Sequence, residues 1–228
     1  MNFSRASWFL LGLSALCALT YGTFARDWVL HDAPLWARVA LKTSGVALLA
    51  ALAFHADGAR LLVLALVFGA LGDALLALES NVMFLLGAAA FVIGHVLYTV
   101  LFVRNGIGLR ESLKAPRRLA MFAPLFVAAI VCMVWLWPRD SAAAPGTLIY
   151  TLALTGMTAA SFTLPWRAAL AMLGAVLFFV SDVILTWQMN HTAPDPLLAR
   201  LINDASWFTY YFGQAGLCLG ALRIAPRA

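Results

Sequence analysis

Residues 59–78 read ARLLVLALVFGALGDALLAL. Past Arg60 the stretch holds one charged residue, Asp73, and is otherwise apolar. As a helix, twenty residues reach about 30 Å, the thickness of a bilayer's hydrocarbon core. Working outward, similar runs recur at 7–25, 35–54, 82–103, 119–137, 146–164, 168–189 and 200–222. The chain is 64% hydrophobic and 11% charged, whereas soluble domains are roughly half apolar and a quarter charged. A soluble core of 228 residues could not use that much apolar surface. The bilayer is therefore the solvent, and the expected fold is all-α: a polytopic membrane protein, an eight-transmembrane-helix bundle forming one integral membrane domain over residues 1–228.

The breaks carry turn chemistry. Asp32 and Pro34 precede the second run, Asp57-Gly58 divides the second from the third, and Glu79-Ser80-Asn81 links the third to the fourth. Pro138, Pro145, Pro165, Pro194 and Pro196 punctuate the second half, as where helices end near proline. No linker is long enough for a separate domain. The first run lacks a small-x-small cleavage site followed by a soluble domain, and Leu16 before Cys17 spoils a lipobox, so it is read as a span.

The net charge of +5 could suggest nucleic acid as a partner, but the basic residues occupy short connections rather than one stripe. They act as topology signals. The side bearing the N-terminus collects Arg5, Arg60, Arg104, Arg110, Lys114, Arg117, Arg118, Arg167, Arg223 and Arg227; the other has Arg26, Arg38, Arg139 and Arg200, with Lys42 inside a span. That excess places both termini in the cytoplasm. The many alanines and the preference for arginine over lysine suggest a bacterial inner membrane. The two halves could be four-helix repeats, since Asp73 and Asp182 lie 109 positions apart with Gly72 and Leu76 echoed by Ser181 and Leu185. The echo is thin.

Of ten acidic residues, Asp73 and Asp182 alone lie deep within runs. A carboxylate at depth costs about 2.5 to 3.5 kcal/mol on insertion scales, so such groups face a bundle interior and mark function; the bland alternative is a packing clasp. Counted from the run ends, both sit about 8 to 10 Å below the outer boundary, with Lys42 and Tyr150 in the same layer. Lys42 could pair with an aspartate, await a substrate phosphate, or snorkel outward. Three- and four-residue steps put Phe84, Gly87, Phe91, Gly94, His95 and Tyr98 on one face of the fourth run, and Asn203, Trp207, Tyr210, Gln214 and Leu217 on one face of the eighth. Cys17, Cys132 and Cys218 are odd in number and lack metal-ligand spacing, which reads as small core residues. The sequence holds no G-x-S-x-G, no H-E-x-x-H and no phosphate-cradling glycine loop, so no metal or organic cofactor is expected.

These residues resemble the YhhN or TMEM86 family of eight-span membrane proteins, whose characterised members are lysoplasmalogenases. The resemblance rests on Leu71-Gly72-Asp73-Ala74-Leu75, then Phe84, Gly87, Phe91 and His95-x-x-Tyr98, with Lys42, Tyr150, Met157, Phe178-Phe179-Val180-Ser181-Asp182, Tyr210 and Gly213-Gln214. The family often has proline after its span-two lysine, where this chain has Thr43. The resemblance implies hydrolysis of the vinyl-ether bond of a lysoplasmalogen, releasing a fatty aldehyde and a glycerophosphoethanolamine or glycerophosphocholine. Such a bond yields when an acid protonates its outer alkene carbon and water captures the resulting oxocarbenium ion. Two carboxyl groups suit that chemistry, one as acid and one stabilising the cation or activating water. On this reading Asp73 and Asp182 share the catalytic roles, Lys42 takes the phosphate, and Tyr150, His95, Tyr98, Tyr210 and Gln214 line the site, which opens toward the outer leaflet to a lysophospholipid from the bilayer. Two rivals stay open: a proton-coupled carrier or channel for a small solute, and a lysolipid-binding protein of the same fold without catalysis.

Overall fold

The computed structural model describes residues 3–25, 34–78, 80–135 and 144–224. Among them every regular element is helical: α1 (Arg5–Thr20), continued by a π-turn (Tyr21–Ala25), α2 (Leu35–His55), α3 (Arg60–Leu76), α4 (Asn81–Asn105), α5 (Leu109–Lys114), α6 (Pro116–Trp135), α7 (Ala144–Ser161), a 3-10 turn (Trp166–Ala168), α8 (Ala169–Asn190) and α9 (Pro196–Ala221). The eight long helices coincide with the eight apolar runs. The expected break at Asp32, the residues Glu79 and Pro138, and Arg26, Arg139 and Arg227 of the charge comparison lie outside the described residues.

Helix ends follow local chemistry. Ser4 caps α1 by accepting from the Ser7 amide, and Asp195 caps α9 by accepting from the Leu198 amide, with Pro196 in the first turn. Asp195 and Pro196 therefore start α9 four residues before the expected Arg200. At the close of α2, Asp57 takes a left-handed φ of 51° and the Gly58 amide bonds back to the Ala53 carbonyl at 2.8 Å, satisfying an end carbonyl.

Six helices form a ring. α2, α3, α4, α7, α8 and α9 pack each against the next, and α9 closes onto α2 and α3. α1 lies outside along α2, tied to α9 by Trp207, whose indole N–H donates to the Ala18 carbonyl at 2.9 Å, and by Ser14, 2.9 Å from the Tyr211 hydroxyl. α6 lies outside against α7. Each half of the chain thus sends three helices to the ring and leaves its first on the periphery. The closest seam is α8 against α9: a Cβ placed on Gly174 would stand 2.5 Å from the Leu217 nitrogen and 2.6 Å from the Gly213 oxygen. Only glycine admits that approach, as between membrane helices generally.

The molecule is apolar outside and polar at its centre. Phe9, Leu85, Ile130, Leu152 and Leu173 are each more than half exposed, whereas Asp73, His95, Ser181 and Gln214 are buried. Five described helices are long and apolar enough to cross a membrane: α1 with the start of its π-turn (Arg5–Thr23), α2, α4, α6 over Pro116–Val134, and α8 with its preceding 3-10 turn (Trp166–Asn190). At 17 residues, α3 reaches about 26 Å. The start of α1 and the ends of α2 and α9 share one face, for Ser4 Oγ is 3.1 Å from His55 Nε2 and Gly58 abuts Leu222.

Three local expectations need correction. Phe84 is exposed rather than inward-facing, because α3 stops at Leu76 and leaves the first turn of α4 with little to pack on. The connection from Arg104 to Arg118 contains the short helix α5. Arg118 is not a solvated loop charge but is buried, donating from Nη1 to the Phe162 carbonyl and stacking over Trp166 at 4.9 Å; that pair anchors the α5–α6 junction to the α7–α8 turn.

Candidate active site

Every ring helix contributes a polar side chain to one central cluster, and the two outer helices contribute none. Asp73 comes from the last turn of α3, nearer its helix end than counting along the apolar run implied. Asp182 comes from the middle of α8. They are 2% and 9% exposed, so both point into the protein rather than toward lipid.

Each carboxyl accepts from a tyrosine on another helix. The Tyr210 hydroxyl of α9 donates to Asp73 Oδ2 at 2.8 Å, and the Tyr150 hydroxyl of α7 donates to Asp182 Oδ2 at 2.8 Å. A hydrogen bond to a charged group contributes about 1.5 to 3 kcal/mol, enough to fix the rotation of α7 and α9 about their axes. The two tyrosines are linked through His95, 5.4 Å from Tyr150, and Phe178, 5.0 Å from His95 and 5.2 Å from Tyr210, so the two acid–tyrosine pairs belong to one cluster. Lys42 on α2 lies close enough to Asp73 for its charge to act on that carboxyl.

Below the acids the polar chain continues. Gln214 Nε2 reaches the Tyr210 hydroxyl at 3.5 Å, while Tyr98 donates to Gln214 Oε1 at 3.1 Å. Tyr98 and Gln214 therefore brace Tyr210, one turn away from the carboxyls, instead of touching either acid. His95 is 1% exposed, with its ring 5.4 Å from Tyr150 of one acid–tyrosine pair and 5.0 Å from Phe178, which in turn lies 5.2 Å from Tyr210 of the other.

Phe178 and Phe91 complete the wall. Phe178 lies 5.2 Å from Tyr210 and 6.1 Å from Phe91, which is itself 5.9 Å from Tyr210. Sequence reasoning placed these two rings among the matching residues without giving them a part. The signal was present: Phe91 is four residues before His95, and Phe178 four before Asp182, the spacing of helical neighbours. Two further residues, named in the sequence but not as site residues, join the cluster. Ser181 donates to the Phe178 carbonyl at 2.8 Å and stands 3.5 Å from Asp182 Oδ1. Trp207, 5.7 Å from Tyr210, carries the tie to α1. Among the described residues, no three His, Cys, Asp or Glu side chains converge as metal ligands.

Beside α8 an apolar cavity of about 360 Å³ lies against α6 and α9, lined by Cys132, Val183, Ile184, Trp187 and Ala205 among others. None of the polar cluster lines it, although Val183 adjoins Asp182.

Apolar helices around a buried, tyrosine-braced pair of carboxyl groups define a polytopic helical membrane protein with an acidic centre. The YhhN family profile matches residues 37–221, and the chain belongs to the YhhN family. The matched stretch contains every residue of the cluster and all six ring helices but for Leu35 and Trp36 at the start of α2. The chain is similar to Lysoplasmalogenase TMEM86A of Bos taurus, 27% identical over 177 residues that cover 74% of this chain and 67% of that protein. No solved structure matches.

Proposed function

We propose that the protein is a membrane-embedded lysoplasmalogenase that hydrolyses the vinyl-ether bond of an alkenyl lysophospholipid to a fatty aldehyde and a glycerophospho-alcohol. The observation that carries this reading is the pair of buried carboxyls, each held by a tyrosine, in one cluster. One carboxylic acid gives its proton to the outer alkene carbon. The resulting oxocarbenium ion lies beside the other carboxylate, which stabilises it and takes a proton from the incoming water. The hemiacetal then collapses, and the glycerol oxygen leaves with a proton. Lys42 takes the substrate phosphate on this reading. On this reading the alkyl chain lies in the apolar cavity along α8, whose lining includes Val183.

All eight long helices cross the membrane on this reading, with both termini in the cytoplasm of a bacterial cell and the site toward the outer leaflet. The chain end of α9 and the start of α1 sharing one face supports it, as does the concentration of arginine there. A carrier reading has less support, because no ring helix is interrupted as discontinuous transporter helices are. The test is purified protein in detergent with 1-alkenyl lysophosphoethanolamine and lysophosphocholine, followed by aldehyde detection. Release without a sealed membrane is the expected result. Transport only in vesicles, or binding without turnover, would overturn the reading.

A further inference from the structure

The cluster contains a group that the two-carboxylate chemistry leaves unused. His95 of α4 is buried against Tyr150 of α7 and Phe178 of α8, and neither its Nδ1 nor its Nε2 has a hydrogen-bond partner among the described residues. Its neighbours are ring systems: Tyr150 and Phe178 both stand at 79° to it, and Phe91 stacks at 6.5 Å. A buried polar group without a partner is disfavoured and calls for a reason, such as catalysis or a bound water. Here the alternative was cheap. Phenylalanine would fill a similar volume in a cage already made of Phe91, Phe178 and Tyr150, and would bring no orphaned nitrogen. The other buried polar groups of the cluster are spoken for: Tyr98 is bonded to Gln214, Tyr150 to Asp182, and Tyr210 to Asp73.

From this placement we infer that His95 holds the water that captures the oxocarbenium ion, by a hydrogen bond to one ring nitrogen, making it a third catalytic residue beside the two acids. The inference rests on the hydrolase reading. The step balances without a further reactant. The acid's proton forms the new C–H bond at the outer alkene carbon. Water oxygen bonds the oxocarbenium carbon and yields one proton to the second carboxylate. On collapse of the hemiacetal that proton goes to the departing glycerol oxygen, and the hemiacetal hydroxyl returns a proton to the first carboxylate. His95 is unchanged at the end. An aromatic cage without His95 would offer water only the carboxylates, and capture would become slow relative to loss of the newly added proton.

That difference is readable in D2O. In the parent protein capture is fast, so recovered substrate carries no deuterium. In His95→Phe, kcat should fall at least tenfold with KM within about twofold, while recovered alkenyl lysolipid gains deuterium at the outer alkene carbon. His95→Gln, which keeps a hydrogen-bonding group, should recover part of the rate and show less exchange. The thermal midpoint of His95→Phe should equal or exceed the parent's. If the phenylalanine variant does not fold, His95→Leu carries the same exchange measurement. Parent-like turnover in His95→Phe, or equal loss in both variants without exchange, would overturn the role given to His95 while leaving the hydrolase intact. A parent protein that releases no aldehyde from either lysolipid would overturn the hydrolase reading, and this inference with it.

Discussion

Replacing each aspartate by asparagine tests the centre of the reading most directly. Asparagine keeps the size of the side chain and can still accept from Tyr210 or Tyr150, so the 2.8 Å contacts survive in neutral form. It has no acidic proton and no full charge. Loss of a general acid or base lowers rates by about 10² to 10⁴, and Asp73→Asn and Asp182→Asn should each do so. Tyr210→Phe and Tyr150→Phe form the comparison. Each removes one hydrogen bond to a carboxyl, worth about 1.5 to 3 kcal/mol, which sets a loss of about 10- to 150-fold if that contact is needed only in the transition state. The asparagine variants should therefore be the slower, and the double asparagine variant little worse than the worse single one, because the two groups act as a unit. Aldehyde release coupled to a reductase gives turnover, and a thermal melt in detergent shows that the variants fold. A packing clasp requires the reverse pattern, with stability lowered and turnover per folded molecule retained. Either asparagine variant turning over like the parent would refute the two-carboxylate mechanism.

Four further outcomes follow from the geometry. Lys42→Met should raise KM with kcat little changed, the mark of lost ground-state binding to phosphate; an unchanged KM would return Lys42 to a snorkelling role. Gly174→Val should lower the thermal midpoint strongly, since even its Cβ would stand 2.5 Å from the Leu217 nitrogen across the α8–α9 seam. Ala205→Trp should fill the cavity beside α8 and raise KM for long-chain substrates more than for short-chain ones; equal effects on both would place the chain elsewhere. Cysteines introduced between Arg104 and Lys114, in a background freed of Cys17, Cys132 and Cys218, should resist an impermeant thiol reagent in intact cells, and ready labelling would reverse the orientation.

The helices were legible because apolar run length is a local property, and the breaks because Asp57-Gly58 and Pro196 carry their own chemistry; the Asp195 cap, which starts α9 before Arg200, was not read. Which helices form the ring was not. The outer helices α1 and α6 lie on either side of the ring helix α2 in mean hydropathy, so composition does not separate a helix that faces lipid on most sides from one that faces protein. The aspartates stood out because a charge at depth is costly, and their tyrosine partners were on the list of site residues without the pairing. That pairing depends on helix rotation, which the α8–α9 glycine seam sets through backbone contact. Arg118 shows the converse failure: a basic residue counted by its position in a connection finds a carbonyl and an indole and disappears inside.

On the proposed function, the apolar cavity between α6, α8 and α9 bears on how an alkenyl lysolipid would reach the site. A lipid that slides in from the side never passes through bulk water, so its encounter rate follows its mole fraction in the surrounding amphiphile rather than its molar concentration. Diluting a fixed amount of substrate with inert detergent should slow turnover even though the number of substrate molecules per millilitre is constant. Two laboratories using different micelle loads would obtain different apparent Michaelis constants from identical protein, and the constants would agree once expressed per unit of surface.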